Sequence, residues 1–332
     1  MRPPEFWKAD VSGRDSAFVL KALLTPFSWA YAWAAARRIA TTTPRHAPVP
    51  VICVGNLTMG GAGKTPLVRA IRARLGPQAH ALSRGYGGKI DGPLRVTPDM
   101  DAREVGDEPL LHAADGPAWI ARDRVAGAQA AAQAGAHAII LDDGFQNPTL
   151  AKDLSIVVVD AGFGIGNGAV FPAGPLRERL ADGVARADAI VLLSSPEPSR
   201  TEHAPSTDWL RGFKRPIIHA RIDPMGAPPP GKLVAFAGIA RPEKFFDTLS
   251  AIGADLEDGY SFADHHVFSD EDLEALTEVA QERGAALITT EKDHVRLAPA
   301  WRDRVRVLKV AARFEDEAAL DALLAPIVSR MG

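Results

Sequence analysis

The sequence predicts an α/β protein with a P-loop NTPase-like, mostly parallel sheet, helices on both faces, and a second, smaller α/β domain. Three observations support this fold class. Short and almost continuously apolar segments alternate with helix-like segments, which is typical of parallel strands covered on both sides. The chain has 332 residues, which is long enough for two domains. A segment rich in proline and glycine, 223–231, interrupts the alternation, which then starts again.

The first 46 residues, predicted to form an N-terminal membrane-associated helical segment (1–46), differ from the rest in charge and aromatic content. They carry seven basic and three acidic residues, and three of the six tryptophans: Trp7, Trp29 and Trp33. The largely apolar run without charged residues, 22–36, contains Pro26 and is shorter than the about 20 residues that a spanning helix needs. Basic and tryptophan residues around it favour a helix lying in the membrane surface. A helix packed on the domain core and a transmembrane anchor are the alternatives.

The predicted large α/β domain covers residues 47–225. Helices are predicted at 64–75, where Gly76 follows the last turn, and at 122–134, where Gly135 follows. The predicted strands are short apolar segments at 49–54, 79–83, 137–141, 154–159 and 189–193.

A linker at 226–231 is predicted to lead into a smaller C-terminal α/β domain, 232–332, that contributes to the active site. Ser269 is a plausible N-cap, because acidic residues fill the turn that follows it. The predicted elements of this domain are strands at 233–237, 286–290 and 305–310, and helices at 242–251, 269–283 and 315–328.

Composition and charge exclude several other classes of protein. The chain is 46% hydrophobic and 24% charged, so disorder and coiled coil are excluded as the main architecture. The formal net charge is −3, and no global positive field favours a nucleic-acid partner. The single cysteine, Cys53, lies in an apolar segment, and we interpret it as a buried strand residue in a reducing compartment.

The strongest chemical signal is a glycine-rich segment between the first predicted strand and the helix at 64–75. Its glycines allow successive backbone N–H groups to face phosphate oxygens, and the helix N-terminus favours negative charge. A lysine at this position reaches the β- and γ-phosphates, and the next hydroxyl holds Mg²⁺. A glycine is usual where this chain has threonine at 58. The predicted nucleotide-binding residues are Thr58, Met59, Gly60, Gly61, Ala62, Gly63, Lys64 and Thr65.

Two adjacent carboxylates, Asp142 and Asp143, end a second apolar strand. Neighbouring carboxylates repel each other, and a divalent cation between them and the phosphates removes that cost. We therefore expect Thr65, Asp142 and Asp143 to bind Mg²⁺. The guanine-specific Asn-Lys-x-Asp motif is absent, since the nearest segment, 290–293, has different spacing. An enzyme that transfers phosphate to a second substrate is therefore favoured over a molecular switch.

Nine short segments, in this order along the chain, match a known family: VGNLT (54–58), GGAGKTP (60–66), SRGYG (83–87), GDEP (106–109), DDGFQ (142–146), FPAGPLRE (171–178), FAGIA (236–240), DHH (264–266) and TTEKD (289–293). Together they resemble the lipid A 4′-kinase (tetraacyldisaccharide 4′-kinase) family of Gram-negative bacteria, and the resemblance covers nearly the whole chain. It departs at Asn147, where many members have histidine.

The resemblance implies a kinase that uses ATP and Mg²⁺. Such a kinase transfers the γ-phosphate to the 4′-hydroxyl of a tetraacyl-disaccharide 1-phosphate, a step of lipid A (lipopolysaccharide) biosynthesis. The implied partners are the acylated lipid and the membrane surface, with no nucleic acid and no obligatory protein partner. The implied location is the cytoplasmic face of the bacterial inner membrane, with peripheral or monotopic attachment.

The resemblance also implies roles for individual residues. Asp107 matches the catalytic carboxylate that accepts the proton of the sugar hydroxyl, alongside Lys64 at the phosphates. A histidine of the DHH segment pairs with this acid, and we expect His265 rather than His266 to do so. The implied substrate contacts are Arg84, Tyr86, Glu108, Arg177 and His266, and a contact with phosphate is the alternative for Arg177.

Two other hypotheses compete with the lipid kinase. A membrane-associated P-loop ATPase, acting as a switch or transport partner, would hydrolyse ATP without lipid. A binding protein with a degenerate P-loop is the third, and the intact Lys64, Thr65 and Asp142 argue against it.

Overall fold

A computed structural model describes residues 4–8, 15–194 and 206–331 of the chain. The strands are β1 (Val51–Asn56), β2 (Ala79–Ser83), β3 (Leu94–Val96), β4 (Ala118–Ile120), β5 (Ala138–Asp142), β6 (Leu154–Asp160), β7 (Ala189–Ser194), β8 (Ile217–Pro224), β9 (Lys232–Ala237), β10 (Asp255–Ser261), β11 (Ala286–Thr290), β12 (Arg306–Leu308) and β13 (Val310–Phe314). The helices are α1 (Asp15–Thr41), α2 (Lys64–Leu75), α3 (Ala102–Val105), α4 (Asp107–Asp115), α5 (Arg124–Gln133), α6 (Leu180–Arg186), α7 (Pro242–Ala251), α8 (Asp270–Glu282), α9 (Glu291–His294), α10 (Pro299–Arg302) and α11 (Glu317–Val328).

The larger sheet has the strand order β13-β8-β7-β6-β1-β5-β2-β4-β3. Its pairs are parallel except at the two edges, where β13 pairs with β8 and β3 pairs with β4 in the antiparallel sense. The predicted fold class is confirmed. Because β1 lies between β5 and β6, the loops that follow these strands meet at one edge of the sheet.

Both faces of the larger sheet are covered, as the apolar strands predict. Ile52 and Val54 face a core that includes Leu67 of α2, while Val51 and Cys53 face a second core that includes α5. Cys53 is fully buried, as predicted, and burial raises the pKa of its thiol to about 12.

The smaller sheet is parallel throughout and has the order β10-β9-β11-β12. Its core contains Phe236, Phe268 and Trp301. The N-cap prediction for α8 is confirmed: the Ser269 hydroxyl accepts from the backbone N–H of Asp272, and the Asp272 carboxylate accepts from the backbone N–H of Ser269.

The end of the chain returns to the larger sheet, which corrects the predicted range 232–332 for the smaller domain. Strand β13 pairs with β8, and Leu320, Leu324 and Ile327 of α11 join the core beneath α2. The predicted strand 305–310 covers parts of two strands: β12 belongs to the smaller sheet, and β13, which starts at Val310, belongs to the larger sheet. We call residues 232–308 the smaller unit; it is inserted between two paired strands of the larger sheet. The division into separate domains otherwise stays a prediction.

Helix α1 lies apart from both sheets and exposes much of its apolar surface. None of the helices in the described part of the chain is long and apolar enough to cross a membrane. The helix is anchored where the Ser28 hydroxyl accepts from the N–H of Ala173. Part of the predicted segment 1–46, namely 1–3 and 9–14, lies outside the described residues. Among the described residues of α1, the large apolar residues that are more than 60% exposed are Phe18, Leu23, Phe27, Trp29 and Trp33.

Candidate active site

The loop between β1 and α2 places two glycines in a backbone conformation that other residues rarely adopt. Gly60 and Gly63 adopt φ angles of 99° and 76°, a region that favours glycine. A Cβ atom on Gly63 would also lie 2.4 Å from Cδ2 of Leu193. The Asn56 amide donates to the carbonyl of Thr58 at 2.8 Å, and Met59 N–H donates to the carbonyl of Pro175.

Lys64 is buried at the start of α2 and points towards the end of β5. Its Nζ lies 3.3 Å from Oδ1 of Asn56 and 3.6 Å from Oδ1 of Asp143. Arg177 donates to the same Asp143 oxygen at 2.7 Å and to the carbonyl of Thr58 at 3.0 Å. Burial alone would raise the pKa of Asp143, but the Lys64 and Arg177 charges outweigh it and lower that pKa. Arg177 therefore lies beside the glycine-rich loop and Asp143.

Asp142, at the end of β5, is 1% exposed. Its Oδ2 accepts from the hydroxyl of Thr65 at 3.4 Å and contacts Nε2 of His112 at 2.9 Å. Its Oδ1 is buried and has no hydrogen-bond partner among the described residues. Carboxylate and hydroxyl oxygens are the ligands that Mg²⁺ prefers, together with phosphate oxygens. The predicted set Thr65, Asp142 and Asp143 fits that ion.

Asp107 begins helix α4 and is surrounded by donors from the smaller unit. Its Oδ2 accepts from Arg296 through Nε and Nη2, and lies 3.1 Å from Nδ1 of His265. Nζ of Lys292 is 3.9 Å away. Burial would raise the pKa of Asp107; the His265 hydrogen bond and the Lys292 and Arg296 charges outweigh it and hold that pKa well below its usual range. The carboxylate is therefore ionised at neutral pH.

The two neighbouring histidines have different environments. His265 has a φ of 60°, and its N–H donates to the carbonyl of Gly238 at 3.0 Å. Its ring centroid lies 5.9 Å from that of Tyr86. His266 contacts Oδ2 of Asp272 at 3.0 Å and packs beside Phe262. Only His265 of this pair contacts Asp107, in agreement with the sequence-based preference.

Of the remaining predicted substrate residues, Glu108 and Tyr86 lie near Asp107, with Tyr86 beside the ring of His265. Tyr86 and Arg84 follow β2 and are exposed. Glu108 accepts from Lys292 at 3.0 Å, so it joins the charged residues around Asp107. His266 is not brought to the site.

Sequence reasoning missed Arg296, Lys292 and His112. Lys292 lies in the TTEKD segment, which carried the resemblance but no assigned role. Arg296, in the turn after α9, and His112, on α4, lie outside every recognised segment, and no local sequence pattern marks either of them.

Comparison with known proteins gives consistent matches. Residues 20–329 match the family model described as tetraacyldisaccharide-1-P 4′-kinase. A protein of Hyphomonas neptunium named tetraacyldisaccharide 4′-kinase is 49% identical over 338 residues, covering 100% of this chain and 99% of that protein. One of Rhodospirillum centenum with the same name is 52% identical over 337 residues, covering 99% of this chain and 97% of that protein. The crystal structure of "apo" form LpxK from Aquifex aeolicus in complex with ATP has a TM-score of 0.75 and 28% identity, covering 93% of this chain and 99% of that chain.

Proposed function

The chain belongs to the tetraacyldisaccharide-1-phosphate 4′-kinase family, and from this premise we propose which residues bind ATP and which act on the acceptor. The activity is ATP-dependent phosphoryl transfer to a hydroxyl group of a lipid A precursor. The observation that carries the residue assignment is the pair of charge clusters. One surrounds Asp143 beside the P-loop, and the other surrounds Asp107 at the junction with the smaller unit.

On the ATP side, the loop 58–63 receives the phosphates through backbone N–H groups. Lys64 and Arg177 supply two positive charges beside the same carboxylate, and both can neutralise charge on the γ-phosphate during transfer. Thr65, Asp142 and Asp143 would hold Mg²⁺, which neutralises the β- and γ-phosphate oxygens when bound. Arg177 is thus proposed as a phosphate residue rather than a sugar contact.

On the acceptor side, Asp107 orients the 4′-hydroxyl. It takes the hydroxyl proton as the bond between the γ-phosphorus and ADP breaks and the new P–O bond to the sugar forms. A pKa held below the usual range makes Asp107 a weak base. A loose transition state tolerates a weak base, because the hydroxyl proton is lost late in the transfer. His265 contacts Oδ2 of Asp107 at 3.1 Å and fixes the orientation of the carboxylate. Oδ1 accepts from the backbone N–H of Glu108 at 2.9 Å, and its second lone pair can accept from the substrate hydroxyl.

The experiment that tests this assignment is transfer of label from γ-labelled ATP, with Mg²⁺, to a tetraacyl-disaccharide 1-phosphate in mixed micelles. Asp107→Asn should lower kcat by about 10²–10⁴-fold and leave the affinity for an ATP analogue unchanged. His265→Asn should lower kcat, whereas the matched variant His266→Asn should lower stability only. Loss of analogue affinity in Asp107→Asn would refute the assignment of this residue to the acceptor side.

The membrane surface is proposed as the place of action, at the cytoplasmic face of the inner membrane. The support is α1, whose tryptophans and phenylalanines are exposed next to Lys21, Arg37 and Arg38.

In sedimentation with anionic phospholipid vesicles, the double variant Trp29→Ser, Trp33→Ser should bind more weakly than the wild type. Val328→Ser, which changes an exposed apolar residue on α11, is the control. Equal vesicle binding by all three proteins would contradict the proposal.

A further inference from the structure

A buried histidine, His112, links the two carboxylates that have roles in the proposed function. Its side chain contacts Asp142, and its helix begins with Asp107. His112 is 1% exposed and lies on α4, about one and a half turns after Asp107. Its Nε2 is 2.9 Å from Oδ2 of Asp142, at the end of β5. Helix α4, which has nine residues, therefore carries Asp107 as its first residue and His112, the partner of Asp142, further along.

The hydrogen bonds around Asp142 leave one oxygen free. An ionised carboxylate only accepts hydrogen bonds, so Nε2 of His112 carries the hydrogen and donates it. The Thr65 hydroxyl approaches the same oxygen, Oδ2, at 3.4 Å. Oδ1 is buried without a partner in the described part of the chain. A buried, unpaired carboxylate oxygen is costly, and a cation would remove that cost.

The position of His112 is itself fixed by the helix that follows the P-loop. Arg72 of α2, 4% exposed, donates from Nη1 to the carbonyl oxygen of His112 at 2.8 Å. Its Nη2 donates to the carbonyl of Pro117 at 3.0 Å. At the other end of α4, Asp107 is held by Arg296 and His265. The histidine backbone is thus tied to α2, which also carries Lys64 and Thr65.

We propose that His112 is a positioning residue that turns the Asp142 carboxylate so that Oδ1 faces the bound cation. Through α4, it also sets the placement of that cation relative to Asp107. The proposal rests on the metal role proposed for Asp142. A histidine that orients a metal-binding carboxylate typically contributes about 10–100-fold to metal affinity.

The test measures Mn²⁺ binding by electron paramagnetic resonance, with the full chain, ADP and Mn²⁺ as the probe. His112→Leu should weaken Mn²⁺ affinity by about 10–100-fold, because Asp142 loses the donor that orients it. His112→Gln should restore most of the affinity, since its amide nitrogen is a donor of similar reach. The Mg²⁺ concentration that gives half-maximal kinase activity should rise in the same order.

A matched control separates orientation from packing. His80 is also buried, at 4% exposure, and its Nδ1 accepts from Nε1 of Trp119 at 3.2 Å, away from the site. His80→Leu should lower the melting temperature, as His112→Leu does, and should leave Mn²⁺ affinity unchanged. All affinities are measured well below the lowest melting temperature of the set.

The outcomes distinguish this inference from the proposed metal site. If Asp142→Asn weakens Mn²⁺ binding and His112→Leu does not, the role of His112 is overturned while the metal site stands. Equal weakening by His112→Leu and His112→Gln would also overturn it, because the donor would then be irrelevant. If Asp142→Asn itself binds Mn²⁺ like the wild type, the metal assignment has failed instead.

Discussion

Asp107 illustrates how the surroundings of a single residue decide its chemistry. Burial favours its neutral form, whereas His265, Lys292 and Arg296 favour its charged form, and their combined effect on the pKa is larger than that of burial. Its folded pKa is therefore depressed. The stability it contributes is present above its ordinary pKa and is lost as the pH falls towards the depressed value.

The residue scale gives a prediction about pH dependence. Arg296→Met removes a positive charge from Asp107, so the pKa of this carboxyl should rise. The acidic limb of the kcat profile should then move to higher pH, because Asp107 must be ionised to accept a proton. The profile is measured between pH 4 and 8 by the lipid kinase assay.

The control for this prediction is Arg304→Met. Arg304 is an exposed arginine of the smaller unit that packs on Trp301, away from Asp107. Its profile should match the wild type. An acidic limb that stays in place in Arg296→Met would show that Arg296 does not control the ionisation of Asp107.

Most residues of the candidate site could be predicted from the sequence, because they occur in short sequence motifs. The P-loop, the paired carboxylates, Asp107 and His265 all lie in short recognisable segments. Arg296 and His112 were missed because their partners, Asp107 and Asp142, are distant in sequence, and only the folded chain brings them together. The roles given to all these residues stay predictions until the variants are measured.

At the scale of the element, the end of β1 shows how closely neighbouring segments approach. A Cβ atom on Gly55 would lie 2.4 Å from Cβ of Phe145, whose side chain is 2% exposed. Neither the strand nor the loop after β5 can move away, since β1 lies in the middle of the sheet. The glycine is required for this contact.

We therefore predict that Gly55→Ala lowers the free energy of unfolding by about 1–3 kcal/mol, through overpacking. Urea denaturation followed by circular dichroism measures it. Gly61→Ala is the comparison, because a Cβ there meets no atom within 4 Å, and its unfolding free energy should stay within about 0.5 kcal/mol of the wild type. Equal stability of the two variants would contradict the predicted clash.

Elements with strong local signals were predicted well. The predicted bounds of α2, β2, α7 and β11 agree with the structure. Strand β10, Asp255–Ser261, was missed because it lies at a sheet edge and alternates exposed polar residues with half-buried ones. Strand β8 was missed as well, so nothing in the sequence indicated that β13 had a partner in the larger sheet.

At the scale of the whole molecule, the return of the chain end to the larger sheet predicts how truncation acts. A chain ending at Lys309 lacks β13 and α11, and with them the buried Phe314, Leu320, Leu324 and Ile327. Each large core side chain contributes about 2–5 kcal/mol, and a whole domain has only about 5–15 kcal/mol. The larger part should therefore not fold.

Soluble yield and circular dichroism melting measure this effect. A chain ending at Val328 keeps the buried residues of α11 and should remain folded. A chain ending at Lys309 that melts cooperatively near the wild-type temperature would contradict the prediction. In that case, β13 and α11 would be an addition to the larger part rather than a portion of its core.

Because the smaller unit is inserted into the larger part of the chain, a single proteolytic cut between them should not separate the two. Two crossings connect it to the larger sheet, and they run side by side, with the N–H of Met225 donating to the carbonyl of Lys309 at 2.8 Å. A protease that cuts the proline-rich crossing at 226–230 leaves the other crossing intact. His265 then stays at a high effective concentration near Asp107. If a single segment connected the two units, the same cut would separate them, and the unit that carries His265 would diffuse away from Asp107.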